Sequence, residues 1–167
     1  MKSPNRWNTT GLQIITRMQT GVASSRPIYE QSSDIANEQR VAEKLSELWN
    51  FDSWKRNPPR YPIDISLMRG TRIKAFAEIK CRNVPSGTYN TYMLSAGKVM
   101  SAHTLTEVTG LPCFLVVQWT DRLGWIDLET TEPLYVGWGG RVDRDDYQDM
   151  EPVMHYSIIK FKELSWL

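Results

Sequence analysis

The sequence predicts an α/β protein, a mixed sheet with helices packed on its faces. Four stretches carry that expectation. "DIANEQRVAEKLSELWN" (34–50) has helical periodicity, and "CFLVVQW" (113–119) is an apolar run suited to a central strand. Two strand-like runs, 63–68 and 73–81, flank Gly70. Helices interleaved with strands, rather than segregated from them, imply layers around one sheet. At 167 residues the chain has room for one sizeable core and not comfortably for two.

Residues 1–30 are polar and broken by Pro4, Gly11, Gly21 and Pro27. They are expected to form a flexible N-terminal arm with one short strand at "LQIITRM" (12–18), leaving 31–167 as the single domain. Ser32, Ser33 and Asp34 are N-cap candidates for the first helix, and "NPPRYP" (57–62) cannot continue it. "IDISLM" (63–68) and "IKAFAEIKC" (73–81) read as a hairpin turning through Arg69-Gly70-Thr71, with Asp64 opposite Phe76. After a loop at 84–90, "TYMLSAGKVMSAHTLTEV" (91–108) is expected to be a second helix, stopped by Gly110 and Pro112. "LGWIDL" (123–128) and "YSIIKFKEL" (156–164) supply two further strands, separated by a long acidic excursion at about 129–152.

A formal net charge of +1 excludes nucleic-acid binding by bulk charge alone. The charge is nevertheless segregated. Lys55–Arg82 carries eight Lys or Arg against two acids, whereas Asp121–Glu151 carries nine acids against three Arg. Two cysteines without a CxxC or Cys/His cluster offer no zinc site, and their apolar settings suggest packed thiols in a reducing cytoplasm. No apolar run is long enough to span a bilayer, so no membrane partner is expected.

The two acids inside the basic segment, Asp64 and Glu78, raise the functional question. Glu78 belongs to the triplet Glu78-Ile79-Lys80, and chance alone supplies about one [Asp/Glu]-x-Lys in a chain of this composition. Its setting makes it informative. Alternation along a strand puts Phe76, Glu78 and Lys80 on one face, with Asp64 diagonal to Glu78 on that same face. On the first helix, a 100° advance per residue places Glu38 within the stripe formed by Val41, Ala42, Leu45 and Trp49, while Glu43 and Glu47 fall on the solvent side. A core-facing carboxylate is costly unless cations or donors compensate it. An exposed ion pair for Glu78 and Lys80, and a helix-end position reaching water for Glu38, are the plain alternatives.

This constellation resembles the PD-(D/E)XK nuclease superfamily, whose pattern is an acid on the first helix, an Asp opening one strand and Glu-x-Lys on the next. Glu38, Asp64 in "YPID", and Glu78 with Lys80 in "AEIK" match those positions, and the likeness covers roughly residues 34–128. It implies a restriction-endonuclease-like core and a deoxyribonuclease resembling Holliday-junction resolvases or phage and restriction enzymes. The alternative is a catalytically silent relative that only binds DNA or protein. The implied cofactor is Mg²⁺, with Mn²⁺ able to substitute, held by Asp64, Glu78, the carbonyl of Ile79, and Glu38 directly or through water. Lys80 would position water or neutralise developing charge, and Arg69, Arg72, Lys74, Arg82 and Lys98 would contact phosphates. The implied partner is DNA, and two-fold dimers, frequent in the superfamily, make a homodimer an expectation by analogy.

Overall fold

A computed structural model of the protein describes residues 32–58, 61–140 and 150–164. The expected arm at 1–30 and its strand at 12–18 lie outside the described residues. A six-stranded mixed sheet organises the rest. Its strands are β1 (Ser53–Arg56), β2 (Ile65–Arg69), β3 (Arg72–Cys81), β5 (Cys113–Gln118), β6 (Leu123–Asp127) and β9 (Lys162–Leu164), adjacent in that order. β3 and β5 run parallel and every other neighbouring pair is antiparallel. A second, antiparallel sheet joins β4 (Thr91–Ser95), β8 (Glu151–Ser157) and β7 (Tyr135–Gly139), with β8 in the middle.

The helices lie on opposite faces of the large sheet. Helix α1 (Ser32–Leu48) lays Val41, Ala42 and Leu45 against Ala75, Ala77 and Ile79 of β3. The cap candidates Ser32, Ser33 and Asp34 fall inside its first turn, where an acid suits the positive end of the helix dipole. It ends in a Schellman arrangement. Asn50 adopts φ +55°, its N–H reaches Glu47 O at 3.2 Å, and Phe51 N–H reaches Ser46 O at 2.8 Å. On the other face, helix α2 (Ala96–Thr109) and the small sheet enclose Phe76, Leu115, Val117, Tyr92, Leu94, Val99 and Tyr156. Gly110, at φ +68°, closes α2 with its N–H on Thr106 O at 2.8 Å.

Four sequence expectations change. The helix expected at 91–108 begins only at Ala96, because Tyr92 and Leu94 alternate inward as strand residues and pair with Tyr156 and Met154 of β8. The strand expected at 156–164 divides into the end of β8, a 3₁₀ turn at Ile158–Lys160 and β9, which belong to different sheets. The expected hairpin forms with a shifted register. A tighter turn that sets Arg69 opposite Arg72, followed by a bulge at Leu67/Met68, places Ser66, not Asp64, opposite Phe76. Ile63 precedes the strand and packs with Phe76, leaving Ile65 and Leu67 on the opposite face. β1 and β7 carried no signal that singled them out. β7 lies within the acidic excursion. Both thiols are free, with Cys113 buried and Cys81 partly so. Among the described residues no helix is long and apolar enough to cross a membrane.

Candidate active site

The site forms where the β2–β3 ladder runs out. Ile65 pairs with Ala77, so Asp64, one residue earlier, lies beside Glu78 instead of diagonal to it. The preceding turn is held from β1, with Asn57 N–H on Asp64 O at 2.9 Å and Asn57 Nδ2 on Ile63 O at 2.8 Å. The Asp64 side chain then continues the ladder that its backbone has left, as Oδ2 accepts the Ile79 N–H at 2.9 Å. A backbone donor at the end of β3 thereby fixes the carboxylate.

Glu78 is fully buried, at 0% exposure, on the Phe76 face of β3. Burial of that kind demands compensation, and two ammonium groups provide it. Lys80 Nζ lies 2.6 Å from Glu78 Oε1, and Lys98 Nζ, from the first turn of α2, donates to Glu78 Oε2 at 2.9 Å. The same two lysines reach Asp64, Lys80 at 3.4 Å from Oδ2 and Lys98 at 3.7 Å from Oδ1. Lys80 also donates to Ile79 O at 3.1 Å. Two carboxylates and two ammonium groups therefore alternate in one cluster of zero formal charge. The contact of Lys80 with Glu78 Oε1 is an ion pair outside hydrogen-bond geometry, which leaves Oε1 buried without a hydrogen bond.

The electrostatics divide the two acids. Burial pushes Asp64 up, but Lys80, Lys98 and the Ile79 N–H outweigh it and hold Asp64 below its ordinary 3.8. For Glu78 burial prevails, reinforced by the charge of Asp64, and its proton affinity rises above the ordinary 4.5 despite both lysines. Lys80 moves the other way. Burial favours its neutral form, but Glu78 and Asp64 overcome that and raise it above 10.5. An ammonium so stabilised is a poor general base. It can orient or neutralise.

Glu38 does not join this cluster. The helical stripe is correctly read, yet α1 packs on the Ala75, Ala77 and Ile79 face, opposite the one that carries Glu78. Its carboxylate accepts from Arg56 Nη2 of β1 at 2.9 Å. Among the described residues no group of three or more His, Cys, Asp or Glu side chains is placed to hold a metal ion. The expected convergence of three acids is thus corrected to two acids with a main-chain carbonyl.

Nor does the structure bring all the basic candidates together. Arg69, Arg72 and Lys74 lie at the opposite end of β3, about 20–25 Å of strand away from Lys80. Arg69 is occupied locally, donating to Asn50 O at 3.2 Å and lying 5.7 Å over the Phe51 ring. Arg82 stays near the site, with its guanidinium 5.1 Å over the Tyr92 ring. Lys98, expected as a peripheral phosphate contact, is instead part of the charged cluster. His103 Nε2–H donates to Leu128 O at 2.9 Å and serves packing.

No curated protein sequence matches the chain. Among solved structures it is similar to the Holliday junction resolvase Hjc of Archaeoglobus fulgidus, an archaeal hyperthermophile, at 18% identity and a TM-score of 0.46, covering 74% of this chain and 93% of that one. A likeness at that level carries no functional conclusion. The decisive match is to a family model described as "Phage putative PDDEXK endonuclease", which aligns with residues 24–164 and hence with most of the chain, and the protein belongs to that family of PD-(D/E)XK nucleases.

Proposed function

We propose that the protein is a Mg²⁺-dependent endonuclease that hydrolyses DNA phosphodiester bonds at the Asp64–Glu78–Lys80–Lys98 cluster. The observation that carries this reading is the convergence of three hard oxygen donors on one positive charge. Lys80 Nζ lies 2.6 Å from Glu78 Oε1, 3.1 Å from Ile79 O and 3.4 Å from Asp64 Oδ2. Two carboxylates and a carbonyl suit Mg²⁺, which takes few protein ligands and completes its octahedron with water and phosphate oxygen. The buried Glu78 Oε1 already faces a positive charge, the Lys80 ammonium at 2.6 Å, which marks where a cation would be accepted. When bound, such an ion polarises a phosphoryl oxygen and acidifies a water.

The chain's own groups supply the rest. Asp64, kept ionised by its lysines and the Ile79 N–H, offers a carboxylate fixed in direction by the β3 backbone. Glu78 is held by complete burial. Asp64, Glu78 and the Ile79 carbonyl would hold the ion, and Lys80 and Lys98, which contact the same two carboxylates, would face the scissile phosphate. They are then positioned to hold its non-bridging oxygens and to neutralise charge that develops on the leaving oxygen. Since Lys80 favours its charged form, the proton of the attacking water leaves by another route, through solvent or substrate phosphate.

Supercoiled plasmid incubated with the full chain and Mg²⁺ or Mn²⁺ tests this reading. Nicking or linearisation is expected with either ion and not in EDTA. It should fall by about 10²-fold or more in Glu78→Gln and Lys80→Ala, and persist in Glu43→Ala. Metal-dependent cutting that survives both site substitutions would overturn the assignment.

A further inference from the structure

Past Lys80, the chain leaves β3 through Arg82, loops across residues 83–90 and enters β4. This loop, β4, β8 and the Trp119 corner enclose a cavity of about 410 Å³, whose walls include Arg82, Tyr89, Tyr92, Trp119 and His155. Its components favour a flat, polar-edged guest. Tyr92 and Trp119 meet edge to face at 6.0 Å, and the Arg82 guanidinium lies 5.1 Å over Tyr92. His155 is stacked on Tyr135 at 4.2 Å and hydrogen-bonded to Thr91 Oγ1 at 3.0 Å, so its ring is held in place. Tyr89 stands at the wall with 68% of its surface exposed.

Tyr92 links this cavity to the charged cluster: its ring forms part of the wall, under the Arg82 guanidinium, while its hydroxyl is buried away from the cavity. Aromatic and guanidinium surfaces beside a place that would hold a phosphodiester are the components of base recognition outside the helix.

We propose that this cavity receives a nucleobase displaced from the stack next to the scissile phosphate, so that the enzyme selects DNA with an unpaired or extruded base. The proposal rests on the nuclease reading above and adds the class of DNA it acts upon.

Three labelled duplexes test it: one fully paired, one with a single unpaired 2-aminopurine bulge, and one with an abasic residue at the bulge. Binding is measured in EDTA by anisotropy, together with 2-aminopurine emission. The bulged base is expected to bind about 5- to 100-fold tighter than the paired duplex, with its emission quenched, and the abasic bulge should bind like the paired duplex. Tyr89→Ala, which truncates an exposed ring at the cavity wall, should remove part of that preference. Equal binding of all three duplexes, or a preference that survives Tyr89→Ala undiminished, would overturn the pocket. Cleavage of the paired duplex in Mn²⁺ reports on the nuclease separately. Cutting without any bulge preference refutes the pocket alone, absence of both binding and cutting refutes both, and bulge-selective binding without cutting upholds the pocket while refuting the nuclease.

Discussion

Glu78 and Glu38 both occupy apolar settings, and the fold treats them differently. Glu78 has no solvent access and shares two lysines with Asp64, whereas Glu38 keeps 18% of its side chain exposed and meets Arg56 at the sheet edge. They sit on opposite faces of the same central sheet. An acid that faces a core is therefore not yet an acid in a site. What marks Glu78 is complete desolvation beside a second carboxylate that uses the same two lysines, an environment prepared for a cation and a phosphate.

Lys98 makes the sharpest test of that distinction. Lys98→Ala removes the ammonium that donates to the buried Glu78 Oε2, while Lys80 remains. Plasmid cutting is expected to fall by about 10- to 100-fold, with a smaller cost in thermal stability of about 1–3 kcal/mol for the orphaned acceptor. Lys98→Arg should restore part of the rate. If cutting by Lys98→Ala stays at the wild-type level, the site reduces to the Asp64–Glu78–Lys80 triad.

Lys98 also shows how far the sequence could be read. On a helix running over 91–108, Tyr92, Ala96, Val99, Met100 and His103 share an apolar face and Lys98 points away from it. Tyr92 belongs to β4, however, and Met100 is 58% exposed. A helix starting at Ala96, with Val99, Ala102 and Leu105 as its buried stripe, places Lys98 within about 40° of Ala102 and about 20° of Leu105. Strand-to-helix junctions are hard to read locally because Tyr-x-Leu fits either period over so short a run. Asp64 and the Glu78-Lys80 face were legible, since period-two alternation fixes faces even when the register is off. The side of the sheet that each helix covers is set by chain crossovers far away in sequence. No helical wheel could have told whether Glu38 shares a face with Glu78.

A smaller effect separates the two carboxylates inside the cluster. Asp64 has a folded pKa below its unfolded value, so its contribution to stability is present above about pH 3.8 and is lost as pH falls through the folded value. Glu78 has the opposite sign. Its folded pKa is raised, so the protonated form is favoured on folding, and stability declines as pH rises from about 4.5 through the folded value. Calorimetry in EDTA should show Asp64→Asn losing ground to wild type as pH rises from about 2 to 4. Glu78→Gln should gain ground as pH rises above about 4.5. Changes of a few degrees in Tm are expected. Parallel trends for the two amides would mean that the lysines do not distinguish the acids.

The smallest expected effect falls on Glu38, and it decides whether the comparison holds during turnover. The Glu38–Arg56 contact of 2.9 Å joins a carboxylate 18% exposed to a guanidinium 36% exposed, a setting in which ion pairs contribute about 0–1 kcal/mol. Glu38→Gln keeps the shape and an acceptor for Arg56, so unfolding should change by less than about 1 kcal/mol. If Glu38 remains on its own face of the sheet, cutting should stay within about threefold of wild type, far from the loss expected at Glu78. Cutting that instead collapses in Glu38→Gln, with stability unchanged, would mean that α1 delivers this carboxylate to the cation once DNA is bound. Arg56→Ala, which removes one of the contacts of Glu38, would then raise metal affinity in the absence of DNA, and isothermal titration with Mn²⁺ would register it. An unchanged titration together with unchanged cutting leaves the two acids in separate roles, one holding the sheet edge and the other the chemistry.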